Sequence, residues 1–193
     1  MEMTDVLSGK KMAVTLSLVA LNLIVGSLVS LLRLPIFLDS IGIVSAAILL
    51  GVEYGVACAV LTCMIGFFVI NPYLLAFTGT AVAVALTAHV LRKKNLFSTY
   101  PKVLFSGLVI AVVAALVSAP VKAYLFQGST LSGTDVVTAY FLSAGHGILE
   151  SVTLAGLLTE PVDKVLVALI TFQILKSFPS SFFSRHGFRS YKD

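Results

Sequence analysis

Charged residues are scarce in this sequence of 193 residues, and tryptophan is absent. Asp, Glu, Lys and Arg together make up 11% of the chain, against about a quarter in typical soluble domains. Hydrophobic residues make up 58%, and the mean hydropathy is +1.03. This composition excludes an ordinary soluble globular protein and predicts an integral membrane protein.

Motifs that carry catalysis are also missing. The sequence contains no Gly-x-Ser-x-Gly turn, no His-Glu-x-x-His pair and no phosphate-binding loop. Cys58 and Cys63 lie five positions apart, on different faces of a helix, which excludes a simple disulfide or a shared metal. We therefore expect no enzymatic activity, no ATPase, no cofactor and no metal centre in this chain.

Long apolar runs divide the chain into six predicted membrane spans. The first run is too long for the core of a cleavable signal peptide, so we expect it to remain as a span. The predicted spans are 12–32, 36–51, 54–70, 73–91, 101–126 and 150–178, followed by a tail at 179–193. The sequence thus predicts an all-α bundle that forms one transmembrane domain over 1–193.

The segment from Leu34 to Gly55 is predicted to organise this bundle. A helix over Ile36 to Gly51 is about 24 Å long, less than the roughly 30 Å hydrocarbon core. Its polar start, Asp39 and Ser40, is expected to lie inside protein, because an acid near the membrane interior usually faces a cavity or a partner. Glycines 51 and 55 predict a turn into the third span.

Basic residues predict the orientation, because cytoplasmic loops carry an excess of Lys and Arg. With six spans, most of the 13 basic residues lie on one side, which would hold both termini, and the outer side holds Arg33, Lys122 and Lys164. A further crossing by residues 135–159 would nearly abolish this asymmetry. We therefore predict an outer or re-entrant helical segment before the last span, and a proline break at Pro161 within that span. The basic excess belongs to a membrane face, so nucleic acid is not an expected partner.

Four sequence features occur in an order that is familiar from one family. They are LPIFLDSIG at 34–42, LLGVEYG at 49–55, SAPVKAYLFQGSTLSGTD at 118–135 and EPVDKVLVALITFQILKSFP at 160–179. With six short-looped spans, they resemble the substrate-binding S components of energy-coupling factor (ECF) vitamin transporters over about residues 11–179. The turn departs from relatives that have proline after its first glycine. The N-terminus lacks the histidine of nickel and cobalt members, so a metal substrate is not expected.

The resemblance implies a multi-pass protein of the prokaryotic plasma membrane with both termini in the cytoplasm. It implies high-affinity binding of a vitamin or vitamin precursor at the outer face. It also implies protein partners, namely a transmembrane coupling subunit and two ATPase subunits that supply the energy. The lipid bilayer is the surrounding medium. A cavity beside Tyr and Phe that offers acids and bases suits an amphipathic heteroaromatic molecule.

The predicted substrate site collects polar and aromatic residues of the outer half, because apolar walls with a few convergent polar groups are usual for a binding site. The candidates are Arg33, Asp39, Asn71, Tyr73, Phe77, Lys122, Tyr124, Gln127, His146, Glu150, Asp163 and Lys164.

Several candidates also have a structural interpretation. Asp39 is placed to cap the second helix, Arg33 to snorkel towards water, and Asn71 to form a turn with the proline that follows it. Tyr73 and Phe77 share a helix face and suit either core packing or stacking on a flat ring.

The outer loops leave alternatives open as well. Lys122 either snorkels to water or contributes to a polar lining after Pro120, and residues 128–133 form either a lid or a connector. His146 and Glu150 are four apart and are expected to form a hydrogen bond. Asp163 and Lys164 either partner the other outer charges or form an interfacial anchor pair.

Small residues recur at four-residue spacing in the first span, at Ala13 and Ser17 and at Gly26 and Ser30. Such faces allow close helix contact, either within the bundle or with a partner subunit.

Three functions therefore remain. The leading one is an ECF substrate-binding subunit. The alternatives are an intramembrane enzyme with a His146/Glu150 acid–base pair and a structural membrane scaffold.

Overall fold

A computed structural model describes residues 3–32 and 34–177, and these residues form seven α-helices and no strand. The helices are α1 (Met3–Leu31), α2 (Ile41–Leu49), α3 (Val52–Val69), α4 (Thr78–Lys93), α5 (Tyr100–Pro120), α6 (Asp135–Ser143) and α7 (Ile148–Ser177). A 3-10 turn at Pro72–Phe77 precedes α4, and a π-helical turn at Val121–Leu125 follows α5. The all-α prediction is confirmed for this part of the chain.

Within residues 3–32 and 34–177, four helical stretches are long and apolar enough to cross a membrane. They are Gly9–Leu31, Val52–Val69, Pro72–Lys93 and Tyr100–Leu125, and they coincide with the first, third, fourth and fifth predicted spans. Their outer faces are apolar: on α5, Leu104, Leu108, Val112 and Leu116 are exposed along one side. Residues spaced by four share a helix face, so this side is suited to contact lipid.

The second predicted span is shorter than the sequence suggested, because α2 has nine residues, all of them buried. At 1.5 Å per residue it is roughly 14 Å long, about half the hydrocarbon core. The predicted start at Ile36 is wrong. Leu38 has a positive φ of 49°, and the N–H groups of Phe37 and Leu38 donate to Asp163 Oδ1 at 3.0 and 2.7 Å. This distant carboxylate replaces the helical bonds of the segment.

The predicted glycine turn between the second and third helices is confirmed at Gly51, whereas Gly55 lies within α3 (Val52–Val69). Gly51 has a φ of 110°, which a residue with a side chain rarely adopts. At Gly55, a Cβ atom would lie 2.7 Å from the Cβ of Ala47. The two glycines therefore allow both the turn and the close approach of α2 and α3.

A buried amide joins α2 to its neighbours. Asn22 of α1 accepts a hydrogen bond from the Gly42 N–H at 2.6 Å and donates one to Thr62 Oγ1 of α3 at 3.1 Å. At Gly42 a Cβ atom would collide with the carbonyl oxygen of Leu18. Glycine and asparagine together thus hold the start of α2 directly against α1.

The last helix, α7, is 30 residues long and packs most extensively against α5. The predicted break at Pro161 is wrong, because α7 continues through it. Packing on both sides of the proline accounts for this: Gly156 lies against Ala115, and Val165 lies against Gly107, and tertiary packing stabilises helices more than local propensity does. The predicted span 150–178 is described up to residue 177, and the tail at 179–193 lies outside the described residues.

Contacts of aromatic rings define the end of the bundle where the basic residues lie. Lys11 Nζ lies 5.8 Å from the ring centroid of Tyr54, and Lys176 Nζ lies 5.2 Å from that of Tyr100. The starts of α1, α3 and α5 and the end of α7 therefore lie at this basic end. The ends of α1, α3 and α5 therefore lie at the opposite end of the bundle.

Candidate functional site

A cavity lies at the opposite end of the bundle, where α1, α3 and α5 end and where α2 and α4 begin. Its volume, counted as the space open to the centre of a water molecule, is about 140 Å³. One buried water needs only about 10 to 15 Å³ by this measure, so a small organic molecule fits. The predicted site residues that line it are Asp39, Asn71, Tyr73, Phe77, Lys122 and Lys164.

A buried charge cluster on α7 forms one side of the cavity. Lys164 Nζ donates to Asp163 Oδ2 and lies 3.4 Å from Glu160 Oε2. Positions 160, 163 and 164 share one helix face because they are three and four residues apart. Asp163 itself is fully buried and does not line the cavity. Its two oxygens hold Lys164 and the backbone before α2, so its role here is to fix the cavity wall.

The second lysine of the site, Lys122, differs from Lys164. It belongs to the π-helical turn that follows Pro120, is 7% exposed and lines the cavity. Its Nζ lies 5.3 Å from the ring centroid of Phe37. This position fits the polar lining and not the snorkelling alternative. Tyr124, two residues further on, is 74% exposed and is not part of the lining.

Aromatic rings form another wall. Tyr73 and Phe77 line the cavity, and their ring centroids lie 4.6 and 5.8 Å from that of Phe126. Phe126 is thus packed behind them. Both interpretations of the pair, core packing and a surface for a flat ring, are compatible with this arrangement.

The loop between α5 and α6 covers part of the cavity and is held by one carboxylate. Asp135 Oδ2 accepts hydrogen bonds from the Thr130 and Ser132 N–H groups at 2.9 and 3.3 Å. Its Oδ1 accepts from both hydroxyls, each at 3.1 Å. Asn71 adds a tether, because its amide donates to the Thr130 carbonyl at 3.2 Å and its oxygen accepts the Tyr73 N–H at 2.8 Å. Asn71 is therefore the cap of the 3-10 turn as well as a cavity residue.

Asp39 lines the cavity without capping α2. The N-cap position is Ser40 and makes no side-chain capping bond, and the Gly42 N–H is bonded by Asn22. No salt bridge to Asp39 occurs among the described residues, which exclude Arg33. The predicted role of Arg33 lies outside them.

The remaining candidates lie away from the cavity. Gln127 is exposed, and His146 and Glu150 form the expected pair, with Nδ1 and Oε1 2.9 Å apart and side chains 38% and 59% exposed. An acid–base pair at this position faces the surroundings of the bundle. Within the described residues no group of three His, Cys, Asp or Glu side chains is placed to hold a metal ion.

The small residues of α1 separate into two groups. Gly26 and Ser30 line the cavity, and a Cβ atom at Gly26 would lie 3.3 Å from the Cβ of Asp39. Ala13 and Ser17 are exposed on the outside of the helix near the basic end. Both members of this second pair are exposed, whereas in the first pair Gly26 is buried and Ser30 is exposed.

The lining also contains polar residues that were not among the predicted substrate-site residues, including Ser40, Thr80 and Glu160. Ser40 Oγ and Thr80 Oγ1 are buried and have no hydrogen-bond partner among the described residues. A signal for Glu160 exists in the sequence, because an acid within an apolar run is by default a functional candidate. The hydroxyls carry no such signal, since Ser and Thr also occur in helix contacts.

Comparisons of the chain with models of protein families, with curated proteins and with solved structures found no match.

Proposed function

We propose that this chain is a substrate-binding membrane subunit of the ECF type, which binds a small organic nutrient in the cavity lined by α1, α2, α3, α4, α5 and α7. The cavity is the observation that carries the proposal. It combines apolar and aromatic walls with a few buried polar groups, which is the usual composition of a small-molecule site. The order of sequence features from 34–42 to 160–179 supports the same assignment.

The proposed topology has six passes, in which α2 and α7 join the four long apolar helices. α2 is surrounded by protein and needs no lipid-facing surface of its own. In the middle of α7, Glu160, Asp163 and Lys164 are buried in the bundle and lie in contact with one another. The basic end would face the cytoplasm of a prokaryotic cell, in line with the positive-inside rule. The cavity would then open towards the outer face, where a nutrient arrives.

In this proposal the energy for uptake comes from other proteins. The sequence contains no phosphate-binding loop, so a coupling subunit and two ATPase subunits would drive the transport step. The exposed Ala13 and Ser17 face on α1 is the proposed contact for the coupling subunit.

The first prediction concerns binding. In detergent, at least one member of a vitamin and vitamin-precursor panel is expected to raise the melting temperature of the purified chain. Ala81→Phe is expected to weaken that ligand at least tenfold, because Ala81 lines the cavity and the new ring occupies its space. Leu86→Phe, on the exposed side of the same helix, serves as the matched control and should bind normally. Equal binding by both variants would remove the cavity as the site.

The second prediction is that the chain alone does not transport this ligand against a concentration gradient. In liposomes that contain only this protein, we expect saturable binding of the radiolabelled ligand without accumulation against its gradient. Uptake driven by ATP in these liposomes would contradict the proposed division of labour between subunits.

A third prediction concerns topology. Reporter fusions after Lys94, in the loop between α4 and α5, and after Asp193 are both expected to report a cytoplasmic location. A fusion after Ser129 is expected to report the outer side. An external report at Asp193 would mean that the chain crosses an odd number of times and that the proposed six passes are wrong.

A further inference from the structure

We propose that the molecule bound in this cavity carries an anionic group, a carboxylate or a phosphate, that pairs with Lys122. The inference rests on the proposed function, since it specifies the chemistry of the ligand at the same site. It is drawn from the contrast between the two buried lysines and from the groups that surround them.

Lys122 is a buried cation without a counterion in the described part of the chain. It is 7% exposed and faces the cavity, and no carboxylate oxygen lies within 4.0 Å of its Nζ among the described residues. Its ammonium group instead lies over an aromatic ring, with Nζ 5.3 Å from the ring centroid of Phe37. A buried charge is costly unless it is paired and hydrogen-bonded. An anionic ligand group would supply the missing partner.

Lys164, the other buried lysine of the cavity, has its charge paired. It is 5% exposed, donates to Asp163 and lies 3.4 Å from Glu160. Two carboxylates therefore already compensate its charge. Among the described residues, Lys164 is thus already paired with carboxylates, whereas Lys122 has no carboxylate partner and can pair with an anionic ligand group.

The other polar groups restrict the rest of the ligand. Asp39 lines the cavity without a salt bridge in the described part of the chain, so it would repel an anion beside it and favour an N–H donor or a cationic nitrogen. Ser40 Oγ and Thr80 Oγ1, both without a hydrogen-bond partner there, can each donate or accept. The ligand is thus amphoteric, with its anion at Lys122 and donor groups directed to Asp39.

The walls favour a ring as the body of this molecule. Tyr73 and Phe77 present aromatic surfaces to the cavity, and rings interact favourably with such surfaces in offset or edge-on geometry. A small ring compound with one carboxylate or phosphate and one nitrogen donor meets all of these conditions.

The test uses probe pairs that differ in the anionic group. Nicotinate with nicotinamide and 4-aminobenzoate with 4-aminobenzamide test the carboxylate, and thiamine monophosphate with thiamine and riboflavin 5′-phosphate with riboflavin test the phosphate. Calorimetry on the full chain in detergent is expected to show that at least one anionic member binds at least tenfold more tightly than the partner that lacks the anionic group. The pairs that show the preference tell carboxylate from phosphate.

Variants then assign the preference to Lys122. Lys122→Met should weaken the anionic probe about 10- to 150-fold, the loss expected for one charge-assisted hydrogen bond, and should abolish the preference within the pair. Lys122→Arg should retain the preference. Lys102→Met, an exposed lysine at the basic end, is the matched control and should bind as the parent does.

Two results would overturn the inference and leave the proposed function intact. The first is that in every pair the member without the anionic group binds as tightly as its anionic partner, or more tightly. The second is that Lys122→Met keeps the preference for the anionic member. If neither these probes nor any member of the vitamin panel binds, the proposed function itself fails, and the inference fails with it.

Discussion

Replacing Asp163 by Ala is expected to lower the free energy of unfolding by about 3 to 5 kcal/mol, the usual cost of removing one partner from a buried ion pair. The side chain is fully buried. Its loss leaves Lys164 with Glu160 alone, at 3.4 Å, and leaves the N–H groups of Phe37 and Leu38 without their acceptor. Because these groups shape the segment before α2, the variant should also lose ligand binding.

Glu150→Gln is the matched control for this experiment. Glu150 lies on the same helix and its Oε1 contacts His146 Nδ1 at 2.9 Å, but its side chain is 59% exposed. An exposed pair contributes only about 0 to 1 kcal/mol. Unfolding with a denaturing detergent should therefore separate the two variants clearly. Equal stability would mean that the Asp163 contacts contribute little to the fold.

Gly42→Ala is expected to cost about 1 to 3 kcal/mol, the range for overpacking a tight core. The added methyl group collides with the Leu18 carbonyl oxygen, which is backbone and cannot rotate away. The shift would also strain the 2.6 Å bond from the Gly42 N–H to Asn22. The melting temperature should fall, and the cavity, which begins at the start of α2, should bind its ligand more weakly.

The control is Gly79→Ala on α4, where a Cβ atom meets nothing within 4 Å. Alanine in an open helical position usually stabilises by roughly 0.4 to 1 kcal/mol, because glycine loses more backbone entropy on folding. The two glycine variants should thus change stability in opposite directions. A Gly42→Ala variant as stable as Gly79→Ala would contradict the direct contact of α1 and α2.

The cavity was only partly visible in the sequence. Asp39 and Lys122 were predicted from membrane-proximal polar groups, and both line it. The same reasoning also selected His146 and Glu150, which lie on the surface, because sequence spacing shows that two side chains share a helix face and not which way that face points. Residues two positions apart lie on nearly opposite sides of a helical turn, and it is the tertiary structure that directs Lys122 inwards and Tyr124 outwards.

The sequence by itself determined the long helices and the turns between them. Apolar runs and glycine or proline signals are local, so α1, α3, α4 and α5 and the turn at Gly51 lie close to their predicted positions. The tertiary structure decided where α2 begins and whether α7 continues through its proline. Asp163, 126 positions from Phe37, accepts from the N–H groups that a longer α2 would have used. Close contacts with α5 at Gly107 and Gly156 accompany the continuation of α7 through the proline. Such contacts join residues that are remote in the chain, and local patterns do not encode them.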